Sequence, residues 1–385
     1  MMEEKKKQQN ILHQFFCDRN VHFPRKPKLV AGIHVYEAPK GLGIQFRGGT
    51  EKFLVKGSDA YKIWRYLSPL LDGTHCLEEI IDNGWEQLQL DRVDVGTFLK
   101  TLHCYHLLEP DAFVNQTSAQ IHFDLFSEKQ IQYYNRIVPQ SGLNRNGKDV
   151  LKRIRDCKVL LITNEIFAPL VSFQMQVAGF CDLGFLVVDK SESVEVQKYI
   201  SDFLNVMTYQ HLDGLGQSEL RDVLSKKMPD YQYIFTVLSN PSVFFLNDIS
   251  RMCTIFNLPM LPISVKDNNY EVGPFYFPEL ESPCISCYNL REQSYRQDSA
   301  FEYIYQEGLH AEGKLTDEKI KGFDINSLSV VVNMAICQLK NALAAVSFPK
   351  LIGNVFKFNS LNYNMSMENF FRVPGCSSCS DVNKR

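Results

Sequence analysis

No stretch of the 385-residue chain approaches 18 uninterrupted apolar residues, so nothing in it reads as a membrane span. The nearest, "SLSVVVNMAICQLKNALAAV", is broken by Asn333, Gln338, Lys340 and Asn341. Its Leu328, Val331, Val332, Ala335, Leu339, Ala342, Leu343 and Val346 recur at helical spacing, which predicts a buried helix. The polar "MMEEKKKQQN" at the N-terminus, followed by a short "ILHQFF", lacks a secretory core. A basic excess is missing too: the formal net charge is −3, which provides no attraction to nucleic acid or an anionic membrane. Eleven cysteines, an odd number and mostly scattered, argue against a disulfide framework and for a reducing cytosol. There is no Gly-x-Ser-x-Gly elbow and no His-Glu-x-x-His, and the nine histidines are dispersed. His103 and His106 read as ordinary half-exposed histidines. These absences leave a cytoplasmic globular chain, long enough for two or three domains, with no nucleophile–base constellation.

A further absence bears on chemistry. "VLLITNEIFAPLVSFQMQVAGF", Val159 to Phe180, reads as a buried strand running into an apolar helix, and "LGFLVVDK" follows. Such a unit normally surrounds a nucleotide, with glycines in its turn so that backbone N–H groups can reach phosphate. Here the turn is Thr163-Asn164-Glu165-Ile166-Phe167-Ala168, without glycine and with a carboxylate. The side chains of Ile166 and Phe167 are expected to fill the phosphate's space. Asp189, ending the second strand, stands where an acid binds ribose hydroxyls; without a phosphate loop it reads as a strand-end cap.

What is present falls into three segments. From Val30 to Pro110, "GIHVYEA", "LGIQFRG" and "KFLVKG" are short alternating runs between turn residues, which predict three small strands. Three helices should follow. The first is capped by Ser58 and carries Ala60, Ile63, Trp64, Leu67, Leu70 and Leu71 on one face. Thr74 opens the second, with Leu77, Ile80 and Ile81; Asp91 opens the third, with Val95, Phe98, Leu99 and Leu102. This is a winged helix-turn-helix-like order, yet the segment holds eight basic and eleven acidic residues, the wrong sign for DNA. A small sheet has open edges that can accept an extended peptide, and that reading is preferred. From Phe113 to Asp156 the chain is polar and helical. From Cys157 to Cys379, "KVLLIT", "GFLVVDK", "YIFTVL" and "MLPISV" alternate with helical stretches, which predicts a parallel sheet covered on both faces.

The strongest local signal is "PCISCY" with "GCSSCS". Cys284 and Cys287 form one Cys-x-x-Cys turn, Cys376 and Cys379 another, with 88 residues between them. Two such turns complete a closed four-sulfur zinc shell, structural because no position is left for water. Two unrelated cysteine turns, or a redox dithiol, are the alternatives.

With these parts assembled, the α/β segment resembles the ThiF-like, ubiquitin-activating-type fold. The resemblance rests on "VLLIT" and its helix, "AGFCDLGFLVVDK", "LNDISRMCTIFNLPMLPISV", "SPCISCY" and "PGCSSC". It implies one structural Zn2+ per chain on Cys284, Cys287, Cys376 and Cys379, and pairing into a homodimer. Active members adenylate a peptide or protein C-terminus. Here the glycine-rich loop is replaced, Lys190 follows Asp189, and "SESVEVQKY" lacks the arginine-bearing stretch, so no ATP binding is expected. The first segment resembles PqqD-like peptide-recognition domains through "GLGIQFRGGTEKFLVKGSDAYKIWRYLSPLLDGTHCLEEII" and "VGTFLKTLHCYHLLEP". Such domains, RiPP recognition elements, hold a precursor's leader as an added strand. That implies a site at Lys52, Phe53, Leu54 and Val55 with Val95, Phe98, Leu99 and Leu102.

The combination is similar to the partner proteins of YcaO-type cyclodehydratases in thiazole/oxazole-modified microcin (bacteriocin) biosynthesis. The implied organisation is an N-terminal extension (1–29), a leader-recognition domain (30–112), a helical linker (113–156) and a degenerate ThiF-like domain with a zinc clip (157–385). The implied role is a non-catalytic, leader-binding scaffold for a YcaO enzyme. The alternatives are a peptide-adenylating enzyme with a divergent nucleotide loop, and a stand-alone peptide-binding protein.

Overall fold

A computed structural model describes residues 12, 14–16, 21, 23–30, 32–37, 43–47, 53–57, 59–88, 91–109, 125–138, 144–189, 209–266, 268–295, 299–317, 322–345 and 347–380. Lys52, Ser58, Lys190, Val346 and the "SESVEVQKY" stretch lie outside them. The chain divides into two compact units, Met1–Arg153 with Ala344–Ser347, and Ile154–Leu343 with Phe348–Arg385.

The first unit opens with β1 (His34–Glu37), β2 (Gly43–Arg47) and β3 (Phe53–Lys56), an antiparallel sheet in that order. α1 (Ala60–Leu70), α2 (Leu77–Leu88) and α3 (Arg92–Cys104) follow, then α4 (Leu125–Asn135) and α5 (Gly147–Arg155). Alternation along β2 sends Ile44 and Phe46 inward to meet Ile63 and Leu67 of α1, Ile80 of α2 and the buried face of α3. Asp91 caps α3, its Oδ1 accepting from the Val93 N–H at 2.9 Å. Thr74 does not cap α2. Its N–H and hydroxyl both donate to Asp72 Oδ1 (2.8 and 2.6 Å), tightening the turn, and the helix starts three residues later. Residues ahead of position 30 also join this module. Leu29 N–H donates to Leu71 O, Val30 N–H to Leu107 O and Glu109 N–H to Lys28 O. Leu12 crosses α3 at Gly96, where a Cβ would stand 3.1 Å from its Cδ1.

The second unit is built on an eight-stranded sheet of order β11-β10-β9-β8-β7-β4-β5-β6. Its elements are β4 (Lys158–Asn164), α6 (Ala168–Val177), β5 (Asp182–Val188), β6 (Tyr209–His211), α7 (Gln217–Lys227), β7 (Tyr233–Ser239), α8 (Val243–Phe256), β8 (Met260–Lys266) and β9 (Asn269–Val272). Then come α9 (Ile285–Tyr295), α10 (Ser299–Ala311), α11 (Ile325–Ala344), β10 (Asn354–Asn359) and β11 (Met365–Asn369). β8, β7, β4, β5 and β6 run parallel, and the inner four are near-continuous apolar runs buried on both faces. The purely parallel expectation needs correction: β9, β10 and β11 add an antiparallel wing. α11 is long and apolar enough to cross a membrane by length and composition. Its Leu328, Val331, Val332, Ala335 and Leu339 are instead packed in the core.

Candidate functional site

Among the described residues β3 is hydrogen-bonded only to β2, so its other backbone edge meets no described strand. Phe53 and Val55 are half-buried, whereas Leu54 is 39% exposed. Val95, Phe98, Leu99 and Leu102 are in the core beneath this strand rather than on the surface. They fix the position of the edge and contribute no open lining in this state. A residue that sequence reasoning missed is Tyr105, the C-cap of α3. Its ring stacks on Phe53 at 3.9 Å, and Phe53 in turn stacks on Phe46 at 4.9 Å. An aromatic just past an amphipathic helix was the available signal.

In the second unit, strand order reverses between β4 and β7, the crevice where open α/β sheets bind ligands. The unit's own side chains occupy it. Asn164 Oδ1 accepts from the Ser239 N–H at 2.7 Å and ties β4 to β7. Asp189, in the left-handed region at φ +60°, accepts from Asn164 Nδ2 on one carboxylate oxygen and from the Thr316 hydroxyl on the other. Thr316 is buried, and its segment is laid across the end of β7. Ser242 N–H donates to Leu315 O at 2.8 Å and Asp317 N–H to Asn240 O at 3.0 Å. Glu165 is buried with Oε1 3.6 Å from His211 Nε2, and Asp213 Oδ2 lies 3.7 Å from the other ring nitrogen. Glu165 and Asp213 thus flank the His211 ring, and Asp213 Oδ1 also accepts from the Asp189 N–H at 2.9 Å. Of the two side chains expected to fill a phosphate's space, Ile166 is exposed at the turn, and Phe167 turns inward against Phe323 at 4.7 Å.

The two Cys-x-x-Cys turns meet. The Sγ atoms of Cys284, Cys287, Cys376 and Cys379 are buried and all lie within 4.8 Å of one another. Cys284 is 3.7 Å from both Cys287 and Cys376, and Cys287 is 3.5 Å from Cys379. A tetrahedron with metal–sulfur bonds of ~2.3 Å has edges of about 3.8 Å, so the cage fits a four-coordinate ion. Hydrogen bonding among the four thiols pulls Cys287 and Cys376 down and pushes Cys284 and Cys379 up; a bound metal ion would take all four as thiolates. Val373 N–H donates to Cys287 Sγ at 3.3 Å, and Arg372 reaches the Cys379 carbonyl. The serines within the turns also meet, Ser286 Oγ to Ser378 Oγ at 2.6 Å, and Thr254 of α8 donates to Ser378 O at 2.8 Å. These outer contacts hold the C-terminal hook in register.

No family model matches the sequence, and no curated protein matches it. Solved structures do. Escherichia coli MccB with ATP aligns at TM-score 0.57 and 14% identity over 92% of this chain and 99% of that one. The microcin C7 biosynthetic enzyme MccB in complex with N-formylated MccA gives the same values. The heterocyclase TruD aligns at TM-score 0.56 and 14% identity, over 93% of this chain and 43% of that one. The chain has the fold of these proteins across nearly its whole length.

Proposed function

We propose that this chain is a leader-peptide-binding scaffold. It takes the leader of a ribosomally made precursor on the β3 edge and presents the core to a YcaO-type cyclodehydratase, without doing ATP chemistry itself. The observation carrying this reading is the state of Asp189. The residue placed to bind ribose is engaged on both oxygens by Asn164 and Thr316, inside a crevice whose remaining charge repels phosphate. Neighbours of the same fold support the pathway: MccB is solved with MccA, and TruD is a heterocyclase. Tethering the leader raises the effective concentration of the core at the partner's site without new contacts. The four-cysteine cage holds Zn2+ as a structural clip, and the chain pairs with a second copy through its α/β unit.

MccB with ATP bound favours one competitor, an adenylating enzyme with a divergent loop. Two measurements separate the readings. Titration calorimetry with Mg-ATP, with and without precursor, should give no saturable heat in the micromolar range, and pyrophosphate exchange should stay at background. Reconstitution of chain, YcaO-type enzyme, precursor and ATP should yield loss of one water per heterocycle, and omission of the chain should abolish it. Saturable ATP binding with exchange makes the chain an enzyme; reconstitution indifferent to the chain removes the scaffold role.

A further inference from the structure

The direction of every backbone group on β11 follows from its pairing with β10. Phe370 N–H donates to Gly353 O and Asn359 N–H to Asn364 O, both at 3.0 Å. Narrow, hydrogen-bonded pairs fall on every second residue of an antiparallel ladder, so Ser366 and Glu368 are bonded to β10 as well. Met365, Met367 and Asn369 consequently aim N–H and C=O at the open side, where no described strand lies. On the faces, Met365 and Met367 stand opposite Phe358 and Phe356 and continue the apolar layer those residues share with Tyr270 and Val272. The phenylalanines are buried, whereas the methionines are 55% and 50% exposed.

Edge strands are usually blunted by shortness, lysine, proline or a bulge. At the other end of the sheet β6 is a mere three residues. β11 has five, pairs residue for residue without a bulge, and carries neither lysine nor proline. Its one charge, Glu368, is held by Lys357 at 2.8 Å.

We propose that β11 pairs with β11 of a second copy of this chain, antiparallel about a two-fold axis at Met367. The edge is complementary to itself in that register. Met365 meets the partner's Asn369, Met367 meets the partner's Met367, and Asn369 meets the partner's Met365. All three are narrow pairs, so each outward N–H and C=O finds a partner. Glu368 falls opposite the partner's Ser366, and no charge faces its like. Tyr363, in the turn before β11, keeps its ring against Phe358 at 6.2 Å and so does not stand across the open edge. A generic extended peptide would satisfy the hydrogen bonds but would not supply the Met367–Met367 contact or the charge-free register.

The inference rests on the homodimer proposed above and assigns its interface. Sedimentation velocity of the full chain should show twice 44.3 kDa for wild type. Met367→Pro removes an outward N–H and leaves the β10 ladder intact, so it should sediment as a monomer with unchanged circular dichroism. Met367→Cys should cross-link on mild oxidation well above the wild-type background, because Cα atoms of a narrow pair lie about 5.5 Å apart, within disulfide range. Ser366→Cys should not. A wild type that stays monomeric at tens of micromolar overturns both dimer and interface. A folded Met367→Pro that remains dimeric, or a Met367→Cys that fails to cross-link, overturns the interface alone. In that case dissociation by Phe173→Asp moves the contact to the exposed face of α6.

Discussion

Cys376→Ser should abolish metal binding at the proposed zinc cage and lower the melting temperature of the α/β unit by roughly 10 °C, read by metal analysis and differential scanning calorimetry. The size follows from what the cage joins. It closes an 88-residue stretch of chain and fixes a C-terminal hook whose other anchors are hydrogen bonds to α8 and α9, the Arg372–Glu281 ion pair and the packing of Phe370 and Val373. A cross-link over a loop of that length is worth about 4–5 kcal/mol in the chain-entropy picture. For a unit of this size each kcal/mol shifts the midpoint by about 2–4 °C. The first unit does not contain the cage, so its own transition should stay in place. Chelation of wild type should reproduce the shift, and re-addition of zinc should reverse it. Purified protein with no metal and four readily alkylated thiols would leave the cage a cluster of reduced cysteines.

The second large effect belongs to β3. Consecutive N–H groups along a strand point to opposite sides, so of Leu54 and Val55 one donates to β2 and the other faces the open edge. Proline at the β2-facing position breaks the sheet and should unfold the module. Proline at the outward position leaves the fold intact and should weaken leader binding by at least tenfold, because strand addition loses a main-chain bond and meets a ring. Fluorescence anisotropy with the labelled leader of a candidate Cys-, Ser- and Thr-rich precursor, alongside circular dichroism, identifies which variant is which. A folded variant that binds the leader as tightly as wild type moves the peptide to another surface.

Much of this was legible in the sequence, for reasons that can be stated. β4, β5, β7 and β8 are apolar runs of a length only doubly covered strands tolerate, and Asp91 announces α3 with a cap whose geometry is local. The cysteine cage was readable because each half is a turn of four residues, although its closure is a long-range event. The antiparallel wing was not readable. "NYEV", "NVFKFN" and "MSMEN" are short and polar in places, and their strand character comes from the neighbour each finds across the sheet. The turn after β4 reads in the sequence as a break between strand and helix, and the structure sets a 3-10 turn, Glu165–Phe167, there. The occupant of the crevice was misjudged: Glu165 stands there with Phe167 turned to the core, and the closing Thr316 comes from 127 positions beyond Asp189. No local pattern carries such a contact. Tyr105 was missed for the opposite reason, since a lone aromatic after a helix is most simply core.

The Asn164–Asp189–Thr316 link has a consequence for how much of this protein a cell keeps. A nucleotide-binding domain is stabilised by its ligand in proportion to the logarithm of ligand concentration over Kd, so its folded population rises and falls with the energy state of the cell. On the proposed reading, residues of the same chain take the ligand's part at fixed, intramolecular concentration. The melting temperature should therefore be flat against added ATP, and the protein should persist undiminished in starved cells.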